Sequence, residues 1–317
     1  MTTIGVDIGG TKIAAGVVTG DGRIVQRARR DTPAQDPNAI AAAIGDLIAE
    51  LTTERSDVEA VGVACAGYVD KAGSAVIFAP NLAWRDEPLK ERIARRTSLP
   101  LRLDNDANAA AFGEYLHGGG SRARDVVMIT VGTGVGGGII SDGALLRGAF
   151  GMAGEIGHLR VVPGGRPCGC GNRGCLEAYA SGTALVRDAQ DLVRSQKPAA
   201  DRLTRLCHGI PEELTGADVT AAALEGDAAA RGLLAEVGRW LGEAAASLAA
   251  VLDPELFVIG GGVADAGDLL MGPVEEAFAR ELNCRGYRPS AGFATATLGN
   301  DAGVVGAAAL AREVGDR

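Results

Sequence analysis

No stretch of the 317-residue chain approaches 18 uninterrupted apolar residues, the length a membrane-crossing helix requires. The N-terminal MTTIGVDIGG has no positively charged leader ahead of an apolar core, so the sequence predicts a cytoplasmic protein with no membrane partner. Positive charge is also in short supply. The basic clusters Arg27/Arg29/Arg30 and Arg92/Arg95/Arg96 are brief, in a chain of formal net charge −9, which argues against nucleic acid as a partner. Aromatics make up only 4% of the residues while 47% are hydrophobic, so there is ample material for a core and most of it is aliphatic. Cysteine is sparse as well. Cys65, Cys207 and Cys284 are scattered, but Cys168, Cys170 and Cys175 fall within eight positions, the habit of a metal site rather than of a secreted disulfide framework.

What is plentiful is glycine, 47 residues set between apolar runs, which points to tight turns and close backbone approaches. The length exceeds that of a usual single core and predicts two lobes. The runs TIGVDI (3–8) and IAAGVV (13–18) are joined by Gly9-Gly10-Thr11-Lys12 and predict a β-hairpin, followed by an Asp21-Gly22 turn and a third strand. Asp36-Pro37 opens a helix whose apolar positions Ile40, Ile44, Leu47, Ile48 and Leu51 keep helical spacing, and residues 58–64 return as a buried strand. The same order recurs at VVMITV (126–131), Gly132-Thr133-Gly134, GGGIIS and Asp142-Gly143. NDANAAAFGE from Asn105 is echoed by NDAGVVGAAALARE from Asn300, so the chain reads as two similar halves. A long helix over 228–252 ends at Pro254, and the strand LFVIG runs into Gly260-Gly261-Gly262.

Each glycine turn leaves backbone N–H groups unshielded and can cradle a phosphate; simple hairpin chemistry is the better account of any one taken alone, and three together shift the balance towards a nucleotide. G-x-x-x-x-G-K-[ST] does not occur, which removes the P-loop. GTGVGG at 132–137 fits the dinucleotide fingerprint, but a strand and an Asp-Gly turn follow where a helix is required. Asp7, Asp104, Asp106 and Asp301 sit beside turns or helix starts. Spacing alone leaves Asp106 as either a helix N-cap or a catalytic carboxylate, and Asp7 as either a turn residue or a carboxylate for the water shell of Mg²⁺. Cys168-x-Cys170-x4-Cys175 with His158 ten residues upstream supplies three thiolates and an imidazole, a closed set suited to a structural, tetrahedral Zn²⁺; free buried cysteines or a disulfide are the alternatives, and a cytoplasmic setting disfavours the disulfide. Glu155 and Glu177 flank this cluster, and by position alone they read as surface charge.

DIGGTK (7–12), DNDANAAAFGE (104–114), VGTGVGGGIISDGALLRGAFGMAGEIGH and CGCGNRGCLE resemble, in order and over nearly the whole chain, the ROK family of sugar kinases and repressors. The motifs are most similar to those of its bacterial ATP-dependent glucose kinases. The resemblance implies an α/β, actin-like ATPase (hexokinase-type) fold whose two lobes close over sugar and nucleotide. The expected lobes are 1–110 with 300–317, and 111–299. It implies Asp106 as general base on the sugar 6-hydroxyl, with Gly67, Asn81, Asn105, Glu155, His158 and Glu177 around the sugar. Asp7 would serve Mg²⁺, Thr11, Lys12, Thr133 and Gly134 would face the ATP phosphates, and Gly261 and Gly262 would face adenosine. His158, Cys168, Cys170 and Cys175 would hold zinc. The substrate would be glucose, with mannose, N-acetylmannosamine and fructose as alternatives, and the protein a homodimer or homotetramer. A sugar-responsive regulator is the rival class. Such repressors carry a helix-turn-helix ahead of the DIGGTK segment, whereas here the first strand begins at about residue 3.

Overall fold

A computed structural model describes residues 1–53, 55–79 and 82–313. The elements, in chain order, are β1 (Thr2–Ile8), β2 (Lys12–Val18), β3 (Ile24–Asp31), α1 (Pro37–Thr52), β4 (Val58–Cys65), β5 (Tyr68–Val69), β6 (Val76–Phe78), β7 (Arg85–Glu87), α2 (Leu89–Ala94), β8 (Leu101–Asn105) and α3 (Asp106–His117). There follow β9 (Val126–Val131), β10 (Val135–Ser141), β11 (Ala144–Leu145), α4 (Glu177–Ala180), α5 (Gly182–Arg194), α6 (Asp201–Leu206) and α7 (Gly216–Leu224). The chain closes with α8 (Ala228–Leu252), β12 (Leu256–Gly260), α9 (Asp268–Glu281), β13 (Gly292–Thr295) and α10 (Ala302–Arg312). Two compact units result, one of residues 1–127, 137–154 and 296–317, the other of 128–136 and 155–295. Among the described residues no helix is long and apolar enough to cross a membrane.

In the first unit the strand order is β3-β2-β1-β4-β8, with β1–β2 and β2–β3 antiparallel and β1–β4 and β4–β8 parallel. Alternation along β1 assigns its two faces. Ile4, Val6 and Ile8 join the buried cluster that holds Ile40, Ile44, Leu47 and Leu51 of α1. The Asp36 carboxylate caps α1 by accepting from the N–H groups of Asn38 and Ala39, and Pro37 has no N–H to leave unpaired. Thr3, Gly5 and Asp7 form the opposite row, against α10. The Thr3 hydroxyl donates to the carbonyl of Ala308 at 2.8 Å. A Cβ on Gly5 would lie 1.8 Å from the Val304 oxygen, one on Gly62 1.8 Å from that of Ala307, and one on Gly306 1.7 Å from that of Ala109. The small residues of GVVGAAALA thus let α10 lie backbone against backbone on β1, β4 and α3.

The second sheet, β11-β10-β9-β12-β13, repeats the order of the first. The Gly-Thr turns therefore occupy matching positions, one between β1 and β2 and one between β9 and β10. α8 starts on an Asp227 cap and stops at Asp253, which is left-handed (φ 47°) just before Pro254. Gly238 and Gly242 admit α9 closely, since a Cβ on Gly242 would lie 2.3 Å from the Val274 oxygen.

Candidate active site and cysteine centre

The junction of β8 and α3 carries Asp104, Asn105 and Asp106, and the three have separate tasks. Asn105 is the N-cap: its Oδ1 accepts from the N–H of Asn108 at 3.0 Å. Its Nδ2 donates to the Gly67 carbonyl (3.1 Å) and to Asp106 Oδ1 (2.9 Å). Asp104 is buried and consumed by structure, accepting from Arg147 Nε (2.8 Å), Asn108 Nδ2 (3.1 Å) and the Asn105 N–H (3.0 Å). Asp106 accepts through Oδ1 only, from Asn105 Nδ2 and the Ala107 N–H (2.9 Å). Burial raises its pKa against these bonds and one from its own backbone N–H.

Asp7 ends the β1 row over α10, where a Cβ on Gly303 would sit 2.6 Å from its carboxylate. Burial first, and then the charge of Asp106, push it up to about 6, while Lys12 pulls it down. Two neighbouring, partly buried carboxylates beside Lys12 are short of positive charge, which is the setting that a hydrated Mg²⁺ fits. Because its folded pKa is the higher one, Asp7 favours folding fully below 3.8, and that contribution is lost as the pH rises through about 6. The loss amounts to at most about 3 kcal/mol. Asp7→Asn, melted without Mg²⁺, is expected to gain Tm over wild type at about pH 8 and to match it at about pH 4; the same shift at both would remove burial as the cause. The adjoining turn is tied by Gly9 N–H to the Lys12 carbonyl (3.0 Å) and by the Thr32 hydroxyl to the Gly9 carbonyl (2.8 Å), leaving Thr11 and Lys12 exposed.

In the second unit His158, Cys168, Cys170 and Cys175 bring one ligand atom each to within 4.8 Å of one another. Cys168 Sγ lies 3.7 Å from His158 Nδ1, and Cys170 Sγ lies 3.7 Å from Cys175 Sγ. Tetrahedral zinc with Zn–S of about 2.3 Å has edges of about 3.8 Å, so the donor set fits that ion. The other imidazole nitrogen, Nε2, is 3.9 Å from Glu155 Oε2. Glu177 opens α4, and its Oε2 accepts from the Val135 N–H at 3.1 Å. A Cβ on Gly134 would meet that oxygen at 2.3 Å, so a side chain there would push the Glu177 carboxylate aside.

A cavity of about 810 Å³ in the same unit is lined by Thr133, Thr183, Arg187, Thr220 and Gly262, among others. The turn at its rim is held to α5 by the Gly182 N–H on the Gly132 carbonyl (2.7 Å) and the Thr183 hydroxyl on the Thr133 carbonyl (2.7 Å). Gly261 has φ 87°, and a Cβ there would lie 2.5 Å from the Val131 oxygen, so conformation and space both demand glycine.

The first unit thus brings together Asp7, Gly67, Asn105 and Asp106. The second brings together Glu155, His158, Glu177 and the three cysteines, and sets Thr133 and Gly262 on one cavity. Asn81 lies outside the described residues. Sequence reasoning missed Arg147, Thr32 and Thr183. Of these only Thr183 had a local signal, in the Ser181 cap that accepts from the Ala184 N–H.

The ROK family profile matches residues 3–314. The chain is 48% identical over 311 residues to the glucokinase of Streptomyces coelicolor, covering 98% of each protein. It is 37% identical over 324 residues to the N-acetylmannosamine kinase of Escherichia coli, covering 98% of this chain and 99% of that one. The crystal structure of a ROK family glucokinase from Streptomyces griseus in complex with glucose and AMPPNP superposes with a TM-score of 0.88 at 48% identity, over 99% of this chain and 100% of that one. The α/β, actin-like fold expected from the motifs is the fold the chain has. With its motifs in order and its profile matched end to end, the chain belongs to the ROK family.

Proposed function

We propose that the protein transfers the γ-phosphoryl group of ATP to the 6-hydroxyl of glucose. The observation that carries this reading is the division of labour at the β8–α3 junction: Asn105 caps the helix and Arg147 holds Asp104, so Asp106 is left as a partly buried carboxylate with raised proton affinity. Asp106 takes the hydroxyl proton as the sugar oxygen bonds to the γ-phosphorus, and the bond from phosphorus to the β–γ bridging oxygen breaks to release ADP. Asp7 would hold Mg²⁺ through its water shell, and the ion would supply neutralisation of phosphate charge. Thr11, Lys12, Thr133 and Gly134 are assigned to the phosphates, and the cavity beside Gly262, with Gly261, to adenosine. Gly67, Asn81, Asn105, Glu155, His158 and Glu177 are assigned to the sugar. His158 and the three thiolates would hold zinc as a full set of four ligands, and the ion would fold the loop and fix the tautomer and aim of the imidazole. The likeness to glucokinases over the whole chain supports glucose as the acceptor. We assign the protein to the cytoplasm as a homodimer or homotetramer.

The 37% identity to an N-acetylmannosamine kinase favours a second reading, a kinase for that sugar. A panel of glucose, mannose, fructose and N-acetylmannosamine with MgATP separates the two. Glucose is expected to lead in kcat/KM by about tenfold or more; a lead for N-acetylmannosamine would transfer the assignment, and no turnover of any sugar would favour a regulator.

A further inference from the structure

None of residues 163–173 is buried, so the loop between His158 and Cys175 has no core of its own. The four metal-ligating side chains gather one part of it. Gly165 and Arg166 are gripped separately, by Tyr179. The Arg166 N–H donates to Tyr179 Oη at 2.8 Å, and a Cβ on Gly165 would lie 2.1 Å from that oxygen, so the hydroxyl is seated against bare backbone. The Arg166 guanidinium lies 4.8 Å from the Tyr179 ring centroid and donates to Asp188 Oδ2 at 3.0 Å. The other side of the ring system continues to Trp240 of α8, at 4.8 Å between centroids, and Arg239 lies over Trp240 at 4.1 Å. Arg239 is itself fixed by Glu236 and Glu243.

This grip contains no metal ligand, yet it ends on the same short stretch. Cys175, Glu177 and Tyr179 are alternate residues: the first belongs to the metal set, the second accepts from the Val135 N–H, and the third holds the loop. Glu177 therefore sits between two anchors of one loop. We infer that Tyr179 is a positioning residue, a second and metal-independent anchor that clamps the zinc loop to α4 and α8 and so sets the aim of Glu177. The inference rests on the assignment of Glu177 to the sugar.

The test compares wild type, Tyr179→Phe and Tyr179→Leu, all loaded with zinc. Its readouts are the rate at which zinc passes to a chromogenic chelator, and KM and kcat for glucose and for ATP. Tyr179→Phe removes one hydrogen bond and is expected to speed zinc release about fivefold and to raise the glucose KM about fivefold, with kcat and the ATP KM within about twofold. Tyr179→Leu also removes the ring and should enlarge both effects, with a change in Trp240 emission. Wild-type zinc release in Tyr179→Phe overturns the inference, as does faster release with an unchanged glucose KM. Zinc release is read without substrate, so it decides the anchor even if glucose proves to be the wrong sugar.

Discussion

Asp106→Asn is expected to lower kcat for glucose phosphorylation by about 10²–10⁴-fold, the range that a general base contributes. The amide keeps an Oδ1 that can still accept from Asn105 Nδ2 and the Ala107 N–H, so the cap at Asn105 and the start of α3 survive. Burial raises the proton affinity of Asp106, so the charged form costs the folded state stability at neutral pH, and that cost disappears with the amide. The variant should accordingly melt no lower than wild type while losing turnover, a combination that unfolding cannot produce. Its KM values should change little, because the lost interaction acts on the transferring proton. In wild type, kcat/KM should fall on the acid side at a pH above the ordinary carboxylate range, and the residual rate of the variant should lack that limb. A fall of less than about tenfold would remove Asp106 as the base.

Loss of zinc should have an effect of similar size by another route. Cys170→Ala breaks a closed four-ligand set, and structural zinc sites in small peptides bind with about 10–16 kcal/mol that is also folding free energy. With residues 163–173 unburied, the loop is otherwise held by backbone hydrogen bonds within residues 159–176 and by the contacts of Arg166 rather than by an apolar core, so His158 and Glu177 lose their frame. Zinc content is expected to drop from about one per chain to below about 0.1, and glucose turnover to fall by about 100-fold or more. Nucleotide binding should persist within about threefold, since the 810 Å³ cavity is lined by the Thr133 turn, α5, α7 and Gly262 rather than by the loop. Full activity in a zinc-free Cys170→Ala protein would overturn the structural role, and loss of nucleotide binding would show that the loop supports more than the sugar side.

Legibility in the sequence followed distance along the chain. The β1–β2 hairpin, the Asp36 cap with Pro37, and α8 between Asp227 and Pro254 each depend on residues within a turn or two of one another, and the pattern announces them. His158 and the three cysteines are close enough in sequence to be read as a set, and the fold brings their donor atoms together. Glu114 shows where pattern reading ends. It follows the small residues of α3 and looks like a surface charge, yet it is wholly buried and accepts from the N–H groups of Gly119, Thr297 and Leu298. No local pattern foretells an acceptor for backbone 183 residues away.

The sequence by itself determined the element types, the glycine turns, the gathering of His158 with three cysteines and membership of the family, because each is written in short-range spacing or in motif order. Only the tertiary structure decided which carboxylate at the β8–α3 junction stays uncommitted. Arg147, 43 residues beyond Asp104, claims that one, and Asn105 takes the cap, so Asp106 remains. Hydrogen bonds and burial depend on which groups the fold makes neighbours, and neither charge balance nor periodicity carries that information.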